Sequence, residues 1–395
     1  MRILHLISSI DPTHGGPSEA VKNLGVANIC AGHVVEVATL DSPSAPFVAE
    51  FPMRLYCLGP ALLKYGYTSR LVPWLRAHGN DYDAIVVNGL WQYNSYAAHR
   101  ALHCARTPYY IYPHGMLDPW FEGAYPLKHL KKNIYWKLFQ HRVVAGARAL
   151  FFTCEEERLL ARNAFRPYRC REMVVNYGTS IPKLAPGQRE QFLAKFPETK
   201  NKRCLLFIGR IHEKKGCDLL IRAFHNVLVQ NSPQNNFHLI IAGPPGNGLG
   251  DTLKHLAASL GLADRITWTG MLSGDLKGGA FQLADAFILP SHQENFGLAV
   301  VEALACGVPV LISNRINIWR EIHENGAGLI ENDDQPGADR LIRRWLALPP
   351  SQASEMRRKA VQTFNARFEI RQAARSMIEA ISATMEQPTH HNVLA

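Results

Sequence analysis

The string SHQENFGLAVVEALACGVPVLIS at residues 291–313 constrains the fold more than any other stretch. An apolar run at 286–289, closed by Pro290, precedes it and has the character of a buried strand. A short polar loop follows, and then residues 298–305 carry the composition and spacing of a helix. Gly307 and Pro309 end that helix, and 310–312 reads as the next strand. Strands alternate with helices in this way through both halves of the chain. That alternation predicts an α/β protein of two Rossmann-like, doubly wound domains facing across a cleft.

Two carboxylates bracket the loop-to-helix turn, Glu294 in the loop and Glu302 in the helix. Eight residues on an ideal helix span about 12 Å, roughly the separation of a sugar ring and a ribose across a diphosphate. Between the carboxylates, the backbone N–H groups around Asn295, Phe296, Gly297 and Leu298 open the helix, and a helix N-terminus is an anion site. Gly297 lets the backbone come close to a ligand with no side chain in the way.

At 395 residues there is room for two domains with separate cores. The chain carries eight scattered cysteines and no C-x-x-C pair, which predicts reduced thiols in a cytosolic protein, neither a disulfide framework nor a zinc site. No secretory leader is expected, because His5 interrupts the apolar start, and no apolar run reaches membrane-spanning length. The net charge of +10 asks for an acidic partner: nucleic acid, anionic lipid headgroups or a diphosphate. Nucleic acid is set aside, since no recognisable binding module accompanies the charge.

Residues 2–7 predict the first strand, 11–18 a loop containing Gly15-Gly16, and 19–31 a helix with Ser18 as its N-cap. Further strands are expected at 34–38, 84–87 and 109–112, with part of a helix at 71–77. Asp81 and Asp83 form an Asp-x-Asp pair just before a strand, where carboxylates cap the incoming loop; no metal site is expected there. His114 follows the strand at 109–112 and precedes Gly115, at the edge where open α/β sheets bind ligands. Leu127, Leu130, Ile134 and Leu138 recur at helical spacing with Lys128, Lys131 and Lys132 on the flanks. Such a segment, 127–142 with Tyr135, Trp136 and Phe139, fits either an anionic membrane surface or a core helix with a solvated face. The charge lies mostly in this half: residues 1–185 hold +7 and the remainder +3.

The first domain is expected over 1–182, its last strand at 174–181, with a Pro- and Gly-containing linker at 182–187. The second, over 188–368, opens with a strand at 204–211 that ends in Gly209-Arg210, a basic loop at 212–216 holding Lys214 and Lys215, and a helix at 217–230. Strands at 238–242 and 266–269 come next, the latter leading to Met271. Two helical patterns, about 337–347 and 352–383 with a break near Phe368, close the chain before a loose polar tail at 386–395.

Glu-x7-Glu around Phe-Gly, with Ala-x-Ala-Cys-Gly-Val-Pro-Val after it, resembles the retaining glycosyltransferases of family 4, which have the GT-B architecture. The match is strongest from 205 to 330, and the Pro-His-Gly-Met-Leu-Asp-Pro-Trp segment at 113–120 is similar to members that build bacterial surface polysaccharides. The resemblance implies transfer of a hexose from a nucleotide-sugar, UDP-linked most often, to a hydroxyl of a glycan or lipid-linked saccharide. It implies no metal and no cofactor. Glu294 would hold the donor sugar's hydroxyls and Glu302 the ribose; Gly209, Arg210, Lys215 and the 296–298 turn would grip the diphosphate. Backbone groups near Met271 would meet the base, while His114 and Gly15-Gly16 would complete the site from the first domain. The last helix, 369–386, would return to that domain. A nucleotide-sugar 2-epimerase of the same fold and a non-enzymatic sugar-binding protein are the alternatives; the diphosphate clamp argues against the second. The expected location is cytoplasmic, with the inner face of the plasma membrane open to the basic segment.

Overall fold

Short apolar runs of the kind seen in the sequence become parallel strands, buried on both faces as crossover helices require. The structure is a computed structural model describing residues 1–12, 16–230, 236–244, 246 and 248–386. It divides into two compact units: Met1–Thr179 with the segment from Ile370 onward, and Ser180–Glu369. The tail expected at 386–395 lies, beyond Glu386, outside the described residues.

The first unit contains β1 (Arg2–Ile7), β2 (Val34–Thr39), β3 (Arg54–Cys57), β4 (Ala84–Asn88), β5 (Tyr109–Tyr112), β6 (Ala149–Phe152) and β7 (Glu172–Val174). They form one parallel sheet in the order β3-β2-β1-β4-β5-β6-β7. The second contains β8 (Arg203–Ile208), β9 (Phe237–Ala242), β10 (Ile266–Gly270), β11 (Ala284–Leu289), β12 (Val310–Ser313) and β13 (Gly328–Glu331), in the order β10-β9-β8-β11-β12-β13. Each sheet reverses its direction of growth once, between β1 and β4 and between β8 and β11. Open α/β sheets bind ligands outside the carboxyl ends of the strands at such reversals.

Helix Ile370–Met385 covers one face of the first sheet, burying Ala373, Met377 and Ile381 against Ile3, Val86, Tyr110 and Phe151. Tyr110 and Thr384 share a hydroxyl hydrogen bond of 2.7 Å, and Arg148 Nε donates to the Thr384 carbonyl at 3.0 Å. Asp83 accepts from the Arg2 backbone N–H at 2.8 Å, so this half of the Asp-x-Asp pair ties down the entry to β1. Asp81 pairs with His78 instead.

Three sequence expectations shift. The helix expected from 19 begins at Gly16, because Pro17 needs no N–H partner in a first turn. Ser18 is therefore inside the helix, buried, and its hydroxyl donates to the Asp11 carbonyl rather than capping. The strand expected at 174–181 ends at Val174; one more hydrogen bond, Val175 N–H to Phe152 O, continues it before the chain leaves the sheet.

His5, inside β1, has no exposed surface, and burial pushes its imidazole down to about 4. The unfolded chain binds that proton near 6.5, so the stability is complete above that pH and is lost as the pH falls toward 4. Melting curves should show a loss of about 2 kcal/mol from this group between about pH 7 and 5, a dependence that His5→Gln reduces.

Candidate active site

The loop after β8 begins with Gly209, whose N–H donates to the Ala242 carbonyl at 2.9 Å. A Cβ at Gly243 would lie 1.8 Å from the Gly209 oxygen, so these two strand exits touch through bare backbone. Arg210 projects exposed from this turn. Glu213–Lys215 then make one 3₁₀ turn, capped by the His212 ring, which accepts from Lys214 N–H at 3.3 Å. Gly216 closes the turn at φ 64°, where a Cβ would sit 2.3 Å from the Pro290 carbonyl. The Lys214 carbonyl accepts from Ser291 Oγ at 3.0 Å and from His292 N–H at 2.7 Å. The loops that follow β8 and β11, the two strands flanking the reversal, are thereby locked to each other.

That lock delivers Lys215 to Glu294. Their ammonium and carboxylate are in direct contact, with side chains 14% and 18% exposed. Glu294 Oε2 is buried and meets no other donor among the described residues. Burial first, then Lys214 and Arg210, push the Lys215 ammonium down to about 7. The Glu294 backbone is held from the other side, its N–H donating to Arg315 O and its carbonyl accepting from Asn317 N–H, both at 3.0 Å. Asn317 Nδ2 also reaches Asn295 Oδ1 at 3.3 Å.

Phe296 is buried edge-on against Phe368, with ring centroids 5.8 Å apart. Gly297 adopts φ 71° and caps helix Leu298–Ala305, its carbonyl accepting from the Val300 N–H at 2.8 Å and the Val301 N–H at 3.2 Å. Glu302 lies on that helix and accepts from Lys277 Nζ at 2.7 Å. Lys277, on helix Gly274–Leu283, is a residue that the sequence reading missed. The His292–Asp333–Arg315 chain was missed as well: His292 Nδ1 meets Asp333 Oδ2 at 2.9 Å, and Arg315 Nε donates to Asp333 Oδ1 at 3.1 Å. Met271, just past β10, is 76% exposed, and the neighbouring Gly270 carbonyl accepts from Gly243 N–H at 2.8 Å.

The second unit thus brings together Gly209, Arg210, Lys215, Glu294, Asn295, Phe296, Gly297, Leu298 and Glu302 on loops and one helix start around the β8/β11 reversal. His114 and Gly16 belong to the first unit, and Gly15 lies outside the described residues. Gly16 is exposed at the opening of helix Gly16–Cys30, with nothing within 4 Å of where a Cβ would be. Asp41, not foreseen, shapes the exit of β1: it accepts from Ser9 Oγ at 2.7 Å and Ile10 N–H at 2.8 Å.

His114 occupies φ 51°, a conformation few non-glycine residues adopt and one that clusters at functional sites. Its ring stacks on Tyr112 and its Nε2 pairs with Asn88 Oδ1 at 3.1 Å. Glu157, also unforeseen, accepts from the Gly115 N–H at 2.6 Å and from Thr153, and so fixes this turn. Burial and then His5 hold the His114 imidazole far below 6.5, at about 3, so the ring is neutral near pH 7 and works as a hydrogen-bonding group.

Two parallel sheets of this topology, with paired cations and carboxylates at a strand-order reversal, define a nucleotide-binding type of α/β protein. Residues 188–363 match the family model "Glycosyl transferases group 1", and residues 15–178 match "Glycosyl transferase 4-like domain". The chain belongs to the glycosyltransferases of GT-B fold. A D-inositol 3-phosphate glycosyltransferase of Rhodococcus opacus is 31% identical over 193 residues, 48% of this chain and 43% of the relative. One from Geodermatophilus obscurus is 29% identical over 63% of this chain and 55% of the relative. The chain spans about half the length of these curated relatives. Among solved structures, Anabaena Alr3699/HepE in complex with UDP and glucose superposes with a TM-score of 0.75 at 19% identity, covering 97% of this chain and 100% of that one. Sucrose-phosphate synthase from Thermosynechococcus elongatus gives a TM-score of 0.75 at 21% identity, covering 98% and 99%. At these identities the structures speak to the fold alone.

Proposed function

We propose that the chain transfers a hexose from a nucleoside-diphosphate sugar, UDP-linked, to a hydroxyl of a glycan or lipid-linked saccharide in polysaccharide assembly, with retention at the anomeric carbon. The observation that carries this is the Arg210, Lys215 and Glu294 cluster beside the open N-terminus of helix Leu298–Ala305, at the β8/β11 reversal. Two cations beside the N-terminus of a helix suit a diphosphate. A carboxylate eight residues ahead of Glu302 suits hydroxyls at either end of that diphosphate. The solved relative holding UDP and glucose on the same fold supports the choice of donor class.

The bond from the anomeric carbon to the diphosphate oxygen breaks as the acceptor oxygen bonds to that carbon. The nucleoside diphosphate departs with the electron pair, and its phosphate takes the acceptor's proton. Arg210, Lys215 and the helix N-terminus stabilise the charge growing on the leaving oxygen. Glu294 orients the sugar through its hydroxyls, Glu302 the ribose, and neutral His114 donates or accepts one hydrogen bond to the sugar. Arg210 and Lys215 take the part a divalent metal plays elsewhere, so no metal is required.

A thermal-shift panel of UDP, GDP, ADP and their common sugar conjugates, with EDTA present, tests the assignment, because a ligand of the native state raises the melting temperature. A UDP series standing out supports it; another base standing out changes the donor, and a flat panel overturns the donor site. Donor consumed without any acceptor would favour the epimerase. Glu302→Gln should weaken UDP binding about tenfold by titration calorimetry, since hydrogen bonds to a charged acceptor contribute about 1.5–3 kcal/mol. His114→Ala should lower turnover about tenfold or more while leaving UDP affinity unchanged in the same assay.

A further inference from the structure

Helix Pro126–Tyr135 and the π-turn Trp136–Gln140 that continues it turn one polar and aromatic set, His129, Trp136 and Gln140, inward. His129, Trp136 and Gln140 are buried; the His129 and Trp136 rings stack on Phe165, and Trp136 Nε1 donates to the Pro167 carbonyl at 2.8 Å. The stripe that an amphipathic helix would normally bury faces solvent instead. Leu127, Leu130, Ile134 and Leu138 are 78%, 58%, 55% and 55% exposed, with Tyr125 and Phe139 exposed beside them. Over the eleven steps from Leu127 to Leu138 that stripe runs about 16 Å, a continuous apolar ridge of a kind soluble surfaces rarely leave bare.

The flanks are cationic. Residues 125–142 hold Lys128, Lys131, Lys132, Lys137 and Arg142 and no acidic residue. Lys132 is half-buried over the Trp91 ring, whereas Lys128, Lys131 and Lys137 are exposed and paired with no carboxylate among the described residues. The segment that packs beneath Trp136 leads to a basin lined by Arg158, Arg162, Arg166 and Arg169. Glu172 engages the first two of these arginines, and Arg166 and Arg169 remain exposed.

We propose that the ridge of Leu127, Leu130, Ile134 and Leu138, flanked by Lys128, Lys131 and Lys137, docks into the headgroup region of an anionic lipid bilayer. Apolar residues on one side and lysines at the edges are what an interfacial helix needs, the first entering the acyl boundary and the second meeting phosphate. A second copy of the chain is the poorer occupant, because it would bring two sets of unpaired lysines together. Among the described residues, no helix is long and apolar enough to cross a membrane, so the attachment is peripheral. The inference uses only this surface and stands apart from the donor-site assignment.

Vesicle flotation of the whole protein tests it, with phosphatidylcholine alone and with about 30% phosphatidylglycerol added to supply anionic charge. The protein should float with the anionic vesicles only, and less so as salt rises. Leu130→Asp with Ile134→Asp, and separately Lys131→Glu with Lys137→Glu, should each weaken that binding about tenfold or more. All four sites are exposed, so the melting temperature and the UDP-induced shift should stay at the wild-type values. Flotation that ignores lipid charge, or no flotation, overturns the proposal. So does a wild-type dimer in gel filtration that Leu130→Asp with Ile134→Asp turns into a monomer.

Discussion

Glu294→Ala should lower turnover about 10²–10³-fold while leaving UDP affinity near neutral pH within a few-fold, the pattern of a contact realised in the transition state. The Glu294 backbone is pinned by hydrogen bonds to the Arg315 carbonyl and the Asn317 N–H, which fixes where its side chain starts. The same change strips Lys215 of its partner. In the intact protein burial, Lys214 and Arg210 already push that ammonium down to about 7, and loss of the adjacent carboxylate would push it lower still. UDP affinity should therefore fall with rising pH in both proteins, and the fall should set in at lower pH in the variant, because a deprotonated amine no longer attracts phosphate. Calorimetry at several pH values, beside a turnover assay, reads both effects; unchanged turnover would remove Glu294 from the reaction.

Gly216→Ala should destabilise the second unit by about 2–4 kcal/mol, through a backbone clash added to an unfavourable positive φ. The Cβ would be 2.3 Å from the Pro290 carbonyl, and no side chain can yield to make room. Because Lys214 O and Pro290 O belong to the seam between the two site loops, the variant should also lose most of its UDP-induced thermal shift. Gly261→Ala is the control. It has a similar φ of 71° but nothing within 4 Å, so it should lose only the conformational part, about 1 kcal/mol. Equal effects at the two positions would mean that the seam does not hold the site together.

The strands with continuous apolar runs were legible from sequence: β1 and β5 lie where the pattern puts them, as do helices Cys217–Gln230 and Leu298–Ala305. Strand β3 was not, since Arg54–Cys57 is a half-buried edge with no apolar run to announce it. Helix Gly274–Leu283 was hidden by its glycines, which disfavour helix on propensity alone. Their reason is tertiary: a Cβ at Gly278 or Gly279 would come within 2.4 or 2.2 Å of Gln188 on helix Gln188–Lys195. Missing that helix meant missing Lys277. The His292–Asp333 contact joins residues 41 apart in sequence, which local spacing cannot reveal. Periodicity also located the 127–138 stripe without saying which way it turned, because a buried and a bare ridge share one spacing.

Both carboxylates assigned to the donor already have a lysine of their own, Lys215 on Glu294 and Lys277 on Glu302. At rest, then, most of the charge in this site is internally cancelled. On the proposed assignment, an arriving diphosphate would trade places with a carboxylate for one of these cations, and the released carboxylate would be left for the sugar. Each contact made to the donor replaces one the protein was making with itself. Such an exchange limits how tightly the product nucleotide can be held, since the same lysine–glutamate pair re-forms as the product leaves. On that assignment, the free protein would carry within it the competitor that empties its site.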